Sequence, residues 1–183
     1  TTTNGAYRLQ LDKNELTHPI LKGNITSIYQ DSEGELWIGS WEEGLHHVKT
    51  DGTIEIFEYD AKNPYSISSN FVRACCEDNL GNIWIGTFNG LNRYDKSTGL
   101  FQNHTASDAQ SDGLTHSSIW CIVKDNQGTL WLGTYFGGVN YFNPEYEIYS
   151  RYMYSPIEKK GLSNPVVGRT IEDKDGNLWI GTE

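Results

Sequence analysis

Tryptophan returns along this chain at positions 37, 84, 131 and 179, at intervals of 47, 47 and 48 residues. Each stands in a near-copy of one phrase: DSEGELWIGS (31–40), DNLGNIWIGT (78–87), DNQGTLWLGT (125–134) and DKDGNLWIGT (173–182). A period of roughly 40–50 residues confines a chain to stacked arrays or to rings of repeated sheets. No window between the tryptophans offers apolar residues at the 3.6 spacing of a convincing helix, so the sheet alternative stands.

Each unit reads as four short strands. The first (ITSIYQD, FVRACCED, IWCIVKD, VVGRTIED) carries apolar residues at even spacing: Ile25 and Tyr29, Val72 and Cys76, Ile119 and Val123, Val167 and Ile171. Even spacing means strand. A turn bearing Gly34, Gly81, Gly128 or Gly176 leads into LWIGS or its variants. A second Gly-bearing turn opens GLHHV, GLNRY or GVNYF, and TIEIFEY, LFQNH or IYSRYMY supplies the fourth strand. That order describes one blade of a β-propeller, and the expected fold is all-β with four-stranded antiparallel blades.

The chain accounts for about four blade equivalents. Residues 1–21 read as the outer strands of a truncated blade, because TTNGAYRL (2–9) overlays TFNGLNRY (87–94). Residues 22–68, 69–115 and 116–163 follow as whole blades, and 164–183 as the inner strands of another. Cut blades leave strand edges that invite pairing. Completion within the chain, between two copies, or by further blades of a longer propeller would each satisfy them, the last being the expectation.

The repeated residues have structural readings. Asp31, Asp78, Asp125 and Asp173 stand six places before Trp, where a carboxylate can accept backbone N–H bonds and fix the first hairpin turn. Trp37, Trp84, Trp131 and Trp179 are expected to fill the space between blades, and Gly39, Gly86, Gly133 and Gly181 to let backbones approach closely. A further position bears on function. Four places after each of the first three tryptophans stand Trp41, Phe88 and Tyr135, on the turn between second and third strands, beside Glu42, Asn89 and Phe136. Two roles suit these rings: packing over the hairpin end or against the next blade, and stacking on the C–H faces of sugars while Glu42 and Asn89 hydrogen-bond hydroxyls. The interblade connections 60–70, 103–116 and 155–165, with Lys159 and Lys160 in the last, vary where the blades repeat and are further recognition candidates.

Composition excludes several alternatives. Lys+Arg 14 against Asp+Glu 24, a formal charge of −10, argues against a nucleic-acid backbone as partner. No apolar run approaches the ~20 residues that span a membrane, so no membrane contact is expected of this segment. Three cysteines, two of them adjacent, make no disulfide framework and leave the compartment open. No cofactor or metal site is expected. EDKDGN (172–177) lacks the closing Glu of a calcium loop, and adjacent His46 and His47 face opposite sides of a strand. The five histidines read as surface polarity. Asp lies six residues before Trp rather than the five of a sialidase Asp-box, and no Ser-His-Asp or Cys-His spacing marks a nucleophile.

The pattern D-x-x-G-x-[LI]-W-[IL]-G-[TS], followed by Gly-Leu and an aromatic, resembles the two-component regulator propeller repeat of periplasmic sensors in Bacteroides-type hybrid histidine kinases. NPYSISSNFVRACCEDNLGNIWIGTFNGLNRYDKSTGLF (63–101) carries it most fully, and the resemblance covers essentially the whole chain. The sequence departs at Trp41-Glu42-Glu43-Gly44 and Phe136-Gly137-Gly138, where one residue is added relative to Phe88-Asn89-Gly90. The resemblance implies a periplasmic, non-enzymatic sensor region of two propellers and a β-domain, followed by a membrane helix and kinase and regulator domains. It further implies an oligosaccharide ligand and control of glycan-utilisation genes. A propeller-fold glycan lyase or hydrolase, or a protein-interaction propeller, is the alternative.

Overall fold

A computed structural model describes residues 4–16, 19–106, 113–146, 149–156 and 161–183. Their regular structure is entirely strand, with no helix among the described residues. A short hairpin comes first, β1 (Leu9–Gln10) with β2 (Glu15–Leu16). Three antiparallel sheets follow, each laid down in sequence order: β3 (Ile25–Gln30), β4 (Leu36–Ser40), β5 (Leu45–Val48) and β6 (Ile54–Phe57); β7 (Val72–Glu77), β8 (Ile83–Thr87), β9 (Gly90–Asp95) and β10 (Leu100–His104); β11 (Ile119–Lys124), β12 (Leu130–Thr134), β13 (Val139–Phe142) and β14 (Ser150–Tyr152). A final pair, β15 (Val167–Glu172) and β16 (Leu178–Thr182), closes the series. The first strands β3, β7, β11 and β15 stand side by side and form the inner wall of the propeller arc.

The four Asp-to-Trp phrases fold identically. One oxygen of Asp78 accepts the N–H of Leu80 and of Asn82, both at 2.9 Å, which closes the tight turn. Gly81 there has φ +84°, a conformation that glycine adopts without steric cost. The second oxygen accepts the indole N–H of Trp84 at 2.7 Å. Asp31, Asp125 and Asp173 hold Trp37, Trp131 and Trp179 at 2.8–2.9 Å in the same way. The carboxylate therefore joins the hairpin turn to the interblade ring. A buried indole N–H left without an acceptor would cost about 1–3 kcal/mol.

Blades pack through a repeated insertion. A Cβ placed on Gly86 would meet Ile119 Cγ2 of the next blade at 2.7 Å, and one on Gly39 or Gly133 would meet Val72 or Val167 at 2.7 and 2.8 Å. The glycines let the next blade's first strand press against the second strand of the blade before it. Trp37 then joins Leu45, Val72, Ile85, Tyr94 and Phe101 in one apolar cluster, and Trp84 joins Ile119, Leu130 and Phe142 in another. Both rings are 0 % exposed. Burying each contributes on the order of 2–3 kcal/mol. Trp131 packs with Leu162, Val167 and Ile180 and is partly covered, while Trp179 is 64 % exposed. Trp37, Trp84 and Trp131 occupy interblade space as expected, and no blade among the described residues lies against Trp179.

Two of the expected surface histidines are core groups. His46 is 2 % and His47 5 % exposed. The His47 ring stacks on Trp37 at 3.9 Å and 8°, with Nε2 2.6 Å from Glu35. His46 is buried on the opposite face of β5, and burial pushes its imidazolium pKa down. The sequence conceals both because β5 is covered on both faces, which hides the polar-out alternation of a one-sided sheet. His18, Lys159 and Lys160 lie outside the described residues.

Every first strand also carries a bulge at the same place. Pairing skips from Ile25 to Ser27, from Val72 to Ala74, from Ile119 to Cys121 and from Val167 to Arg169. The residues left out of the ladder are Thr26, Arg73, Trp120 and Gly168. A bulge bends its strand and re-aims the unpaired side chain.

Candidate functional site

In an antiparallel meander, the turn between second and third strands lies at the same end as the start of the first strand. One face of the arc therefore gathers the β4–β5, β8–β9 and β12–β13 turns, the interblade connections and the four bulges. Each turn is fixed by the hydroxyl that ends the second strand. Ser40, Thr87 and Thr134 accept the N–H of Glu43, Asn89 and Gly137 at 2.7, 3.1 and 2.8 Å. The same hydroxyls donate to the carbonyls of Gly44, Gly90 and Gly138 at 2.9–3.0 Å. The following residue is tied down in turn: Trp41, Phe88 and Tyr135 donate their backbone N–H to the carbonyls of Asn24, Phe71 and Ser118. Rigid turns thereby present three aromatic side chains on one face.

The bulges link these rings. Arg73 projects its guanidinium between two indoles, with Cζ 4.6 Å from the Trp41 centroid and 4.4 Å from that of Trp120. Trp120 stacks on Tyr135 at 5.0 Å and 16°, and Tyr135 meets Phe136 edge-on at 4.2 Å. His116 lies 6.3 Å from Phe136 and 6.5 Å from Tyr135. On the other side, Trp41 meets Phe71 at 5.6 Å and Phe71 meets Phe88 at 6.1 Å. The row from Phe88 to Phe136 is continuous, and it crosses all three four-stranded blades.

Of the residues expected here, Trp41, Phe88, Tyr135 and Phe136 belong to this row. Glu42 and Asn89 are exposed beside it. Sequence reasoning missed Phe71, Arg73 and Trp120. The signal that finds them is divergence at a fixed place in the repeat: the bulge position holds Thr26, Arg73, Trp120 and Gly168, four unrelated side chains in otherwise matching strands.

Electrostatics set Arg73 apart in a chain of net charge −10. It makes no hydrogen bond or ion pair among the described residues, and its Nε is buried without a partner. Burial alone makes its guanidinium easier to deprotonate than an ordinary arginine. Below the row, a concavity of about 340 Å³ runs along the first strands between Thr26, Arg73, Cys121, Arg169 and Thr170. Among the described residues its lining includes these two arginines and no carboxylate.

The acids gather at the other end. Asp31, Glu33 and Glu35 lie close enough together to share a cation, yet the Lys96 ammonium is 3.0 Å from Asp31, 2.9 Å from Glu33 and 3.5 Å from Glu77. Burial opposes the Lys96 charge, but hydrogen bonds to Glu33 and Asp31 outweigh it and raise its pKa. Glu77 also accepts the backbone N–H and the hydroxyl of Ser32 at 2.8 and 2.9 Å, clasping one blade's turn to the next. Glu172 likewise accepts the backbone N–H of Asn126 at 2.9 Å. This end is an interblade clasp.

The model of the two component regulator propeller matches residues 19–42, 66–89, 113–136 and 161–183, together just over half of the chain. The first three matches run through the turns that carry Trp41, Phe88 and Tyr135. The extracellular domain of the hybrid two component system BT4673 from B. thetaiotaomicron superposes with TM-score 0.75 at 23% identity, over 98% of this chain and 24% of that one. That of BT3049 from the same organism superposes with TM-score 0.73 at 19% identity, over 96% and 23%. Virginiamycin B lyase from Staphylococcus aureus does so with TM-score 0.68 at 13% identity, over 95% and 55%. The chain spans about a quarter of the length of the two sensor-system domains, and at these identities the likeness is one of fold. No curated protein matches the sequence. By its four matched repeats and the blades they build, the chain belongs to the two component regulator propeller family.

Proposed function

We propose that this chain is part of the extracytoplasmic, periplasmic sensor region of a hybrid two-component histidine kinase, that its ligand is an oligosaccharide, and that binding controls glycan-utilisation genes. The observation that carries the reading is the continuous row of rings on the turn face, from Phe88 through Trp41 and Trp120 to Phe136. Flat rings held by rigid turns offer C–H stacking surfaces at little entropic cost, and Glu42 and Asn89 flank them as polar groups. Likeness in fold to extracellular domains of hybrid two component systems supports the sensor assignment. Further blades, from the same protein or a second copy, cover the face of Trp179. The segment itself performs no chemistry. A ligand that bridges several blades favours one arrangement of the sensor by its differential affinity and passes that preference onward.

The test is a panel of neutral and acidic oligosaccharides, read by tryptophan emission, thermal shift and product release. Binding without turnover, weakened about tenfold or more by Trp41→Ala or Tyr135→Ala, is the expected result. Release of shortened or unsaturated sugars would favour the lyase-like alternative. Affinity unchanged in both variants would remove the turn face from consideration.

A further inference from the structure

We infer that the bound saccharide is anionic, and that Arg73 is the residue that recognises its carboxylate or sulfate group. The inference rests on the oligosaccharide reading above and adds the chemical class of the ligand. Arg73 lies at the one place in its strand that the sheet leaves unpaired, so the bulge spends a ladder position on re-aiming this side chain. The guanidinium lies over two indole rings, with Cζ 4.6 Å from the Trp41 centroid and 4.4 Å from that of Trp120. These contacts hold the guanidinium in place, and its N–H groups, which suit a two-oxygen anion, have no hydrogen-bond partner among the described residues.

The surroundings agree. An arginine in a chain with ten excess negative charges is ordinarily paired, as Lys96 is by three carboxylates at the opposite end. Arg73 has no such partner among the described residues, and Arg169 lines the same concavity without one. Among the described residues no acidic side chain lines that concavity, and its two charged groups are both arginines. Beside Arg73, the buried indole Nε1 of Trp120 likewise has no acceptor among the described residues. Aromatic rings for the sugar faces and a pre-oriented guanidinium for the acid together define an acidic sugar rather than a neutral one.

The experiment titrates the chain with trigalacturonic acid, with 6-O-sulfated galactobiose, and with neutral galactotriose, following intrinsic tryptophan emission. The expected result is that an acidic saccharide binds at least tenfold more tightly than the neutral one. Its affinity should fall as sodium chloride rises, and Arg73→Gln should remove the preference while Arg73→Lys restores part of it. Comparison of the two acidic probes separates carboxylate from sulfate recognition. If the neutral trisaccharide binds equally well and salt has no effect on the unsubstituted chain, the anion inference falls and the oligosaccharide reading survives. If no saccharide binds, both fall. A lower melting temperature for Arg73→Gln with unchanged acid-to-neutral discrimination makes Arg73 a staple between blades and overturns the inference.

Discussion

Replacing Asp78 with alanine tests how far one carboxylate holds a blade together. Asp78 is 3 % exposed and accepts the N–H groups of Leu80 and Asn82, the amide of Asn82 and the indole of Trp84. Removing it leaves the buried Trp84 Nε1 without an acceptor, about 1–3 kcal/mol, and frees the turn, a loss of similar size. These terms share atoms and do not simply add, so about 3–5 kcal/mol is expected. In a chain of this length that lowers the melting temperature by about 6–20 °C. Asp173→Ala provides the internal control. It deletes the same local bonds to Asp175, Asn177 and Trp179, but the indole there is exposed and water replaces the carboxylate. Its effect on global stability should be far smaller. Urea unfolding followed by tryptophan emission and far-ultraviolet dichroism measures both. Equal losses in the two variants would refute the reasoning, since they would show that the turn alone, and not the interblade ring, carries the stability.

Three further outcomes are expected. Gly86→Ala places a methyl 2.7 Å from Ile119 Cγ2 and should destabilise by about 1–3 kcal/mol in a urea titration, whereas Gly181→Ala meets only the Arg169 carbonyl at 3.5 Å and should be close to neutral. Hydrogen bonds from the Trp179 indole, and then from Asn177, lower the Asp173 pKa from 3.8 to about 2. Because the folded value is depressed, its contribution is fully present above pH ~4 and disappears as pH falls toward 2, and the Trp179 indole proton resonance should titrate with a midpoint near 2 rather than 4. Burial raises the Cys75 and Cys76 thiols to about 12 and about 11, and Cys121 upward as well, so all three should resist a disulfide reagent at pH 8 until the chain is unfolded.

The blades were legible in the sequence because a propeller writes the same solution repeatedly, and Asp78, Gly81, Trp84 and Gly86 recur with their spacing intact. The indole bond to the carboxylate was not, although both partners were singled out, because a six-residue separation across a hairpin does not reveal which atoms meet. Burial of His47 was hidden for a different reason: a strand pressed between two blades has no solvent face, and alternation reports only one-sided burial. The turn-face row was half visible. Trp41, Phe88 and Tyr135 recur and could be found by comparing repeats. Arg73 and Trp120 differ from repeat to repeat, and period-two reading assigned their strands no irregularity, so nothing aimed them at the same face. Recurrence marks scaffold, and its failure at a fixed place marks the residues that distinguish one blade from another.

The glycine that receives the next blade's Val72, Ile119 or Val167 sits two residues beyond the tryptophan, and the receiving and inserting parts travel together in every cassette of about four dozen residues. Tandem duplication of such a cassette therefore copies a lock along with the key that fits it. A lineage can add or lose a sector of the ring without inventing a junction, while its mouth is free to acquire new side chains one bulge at a time.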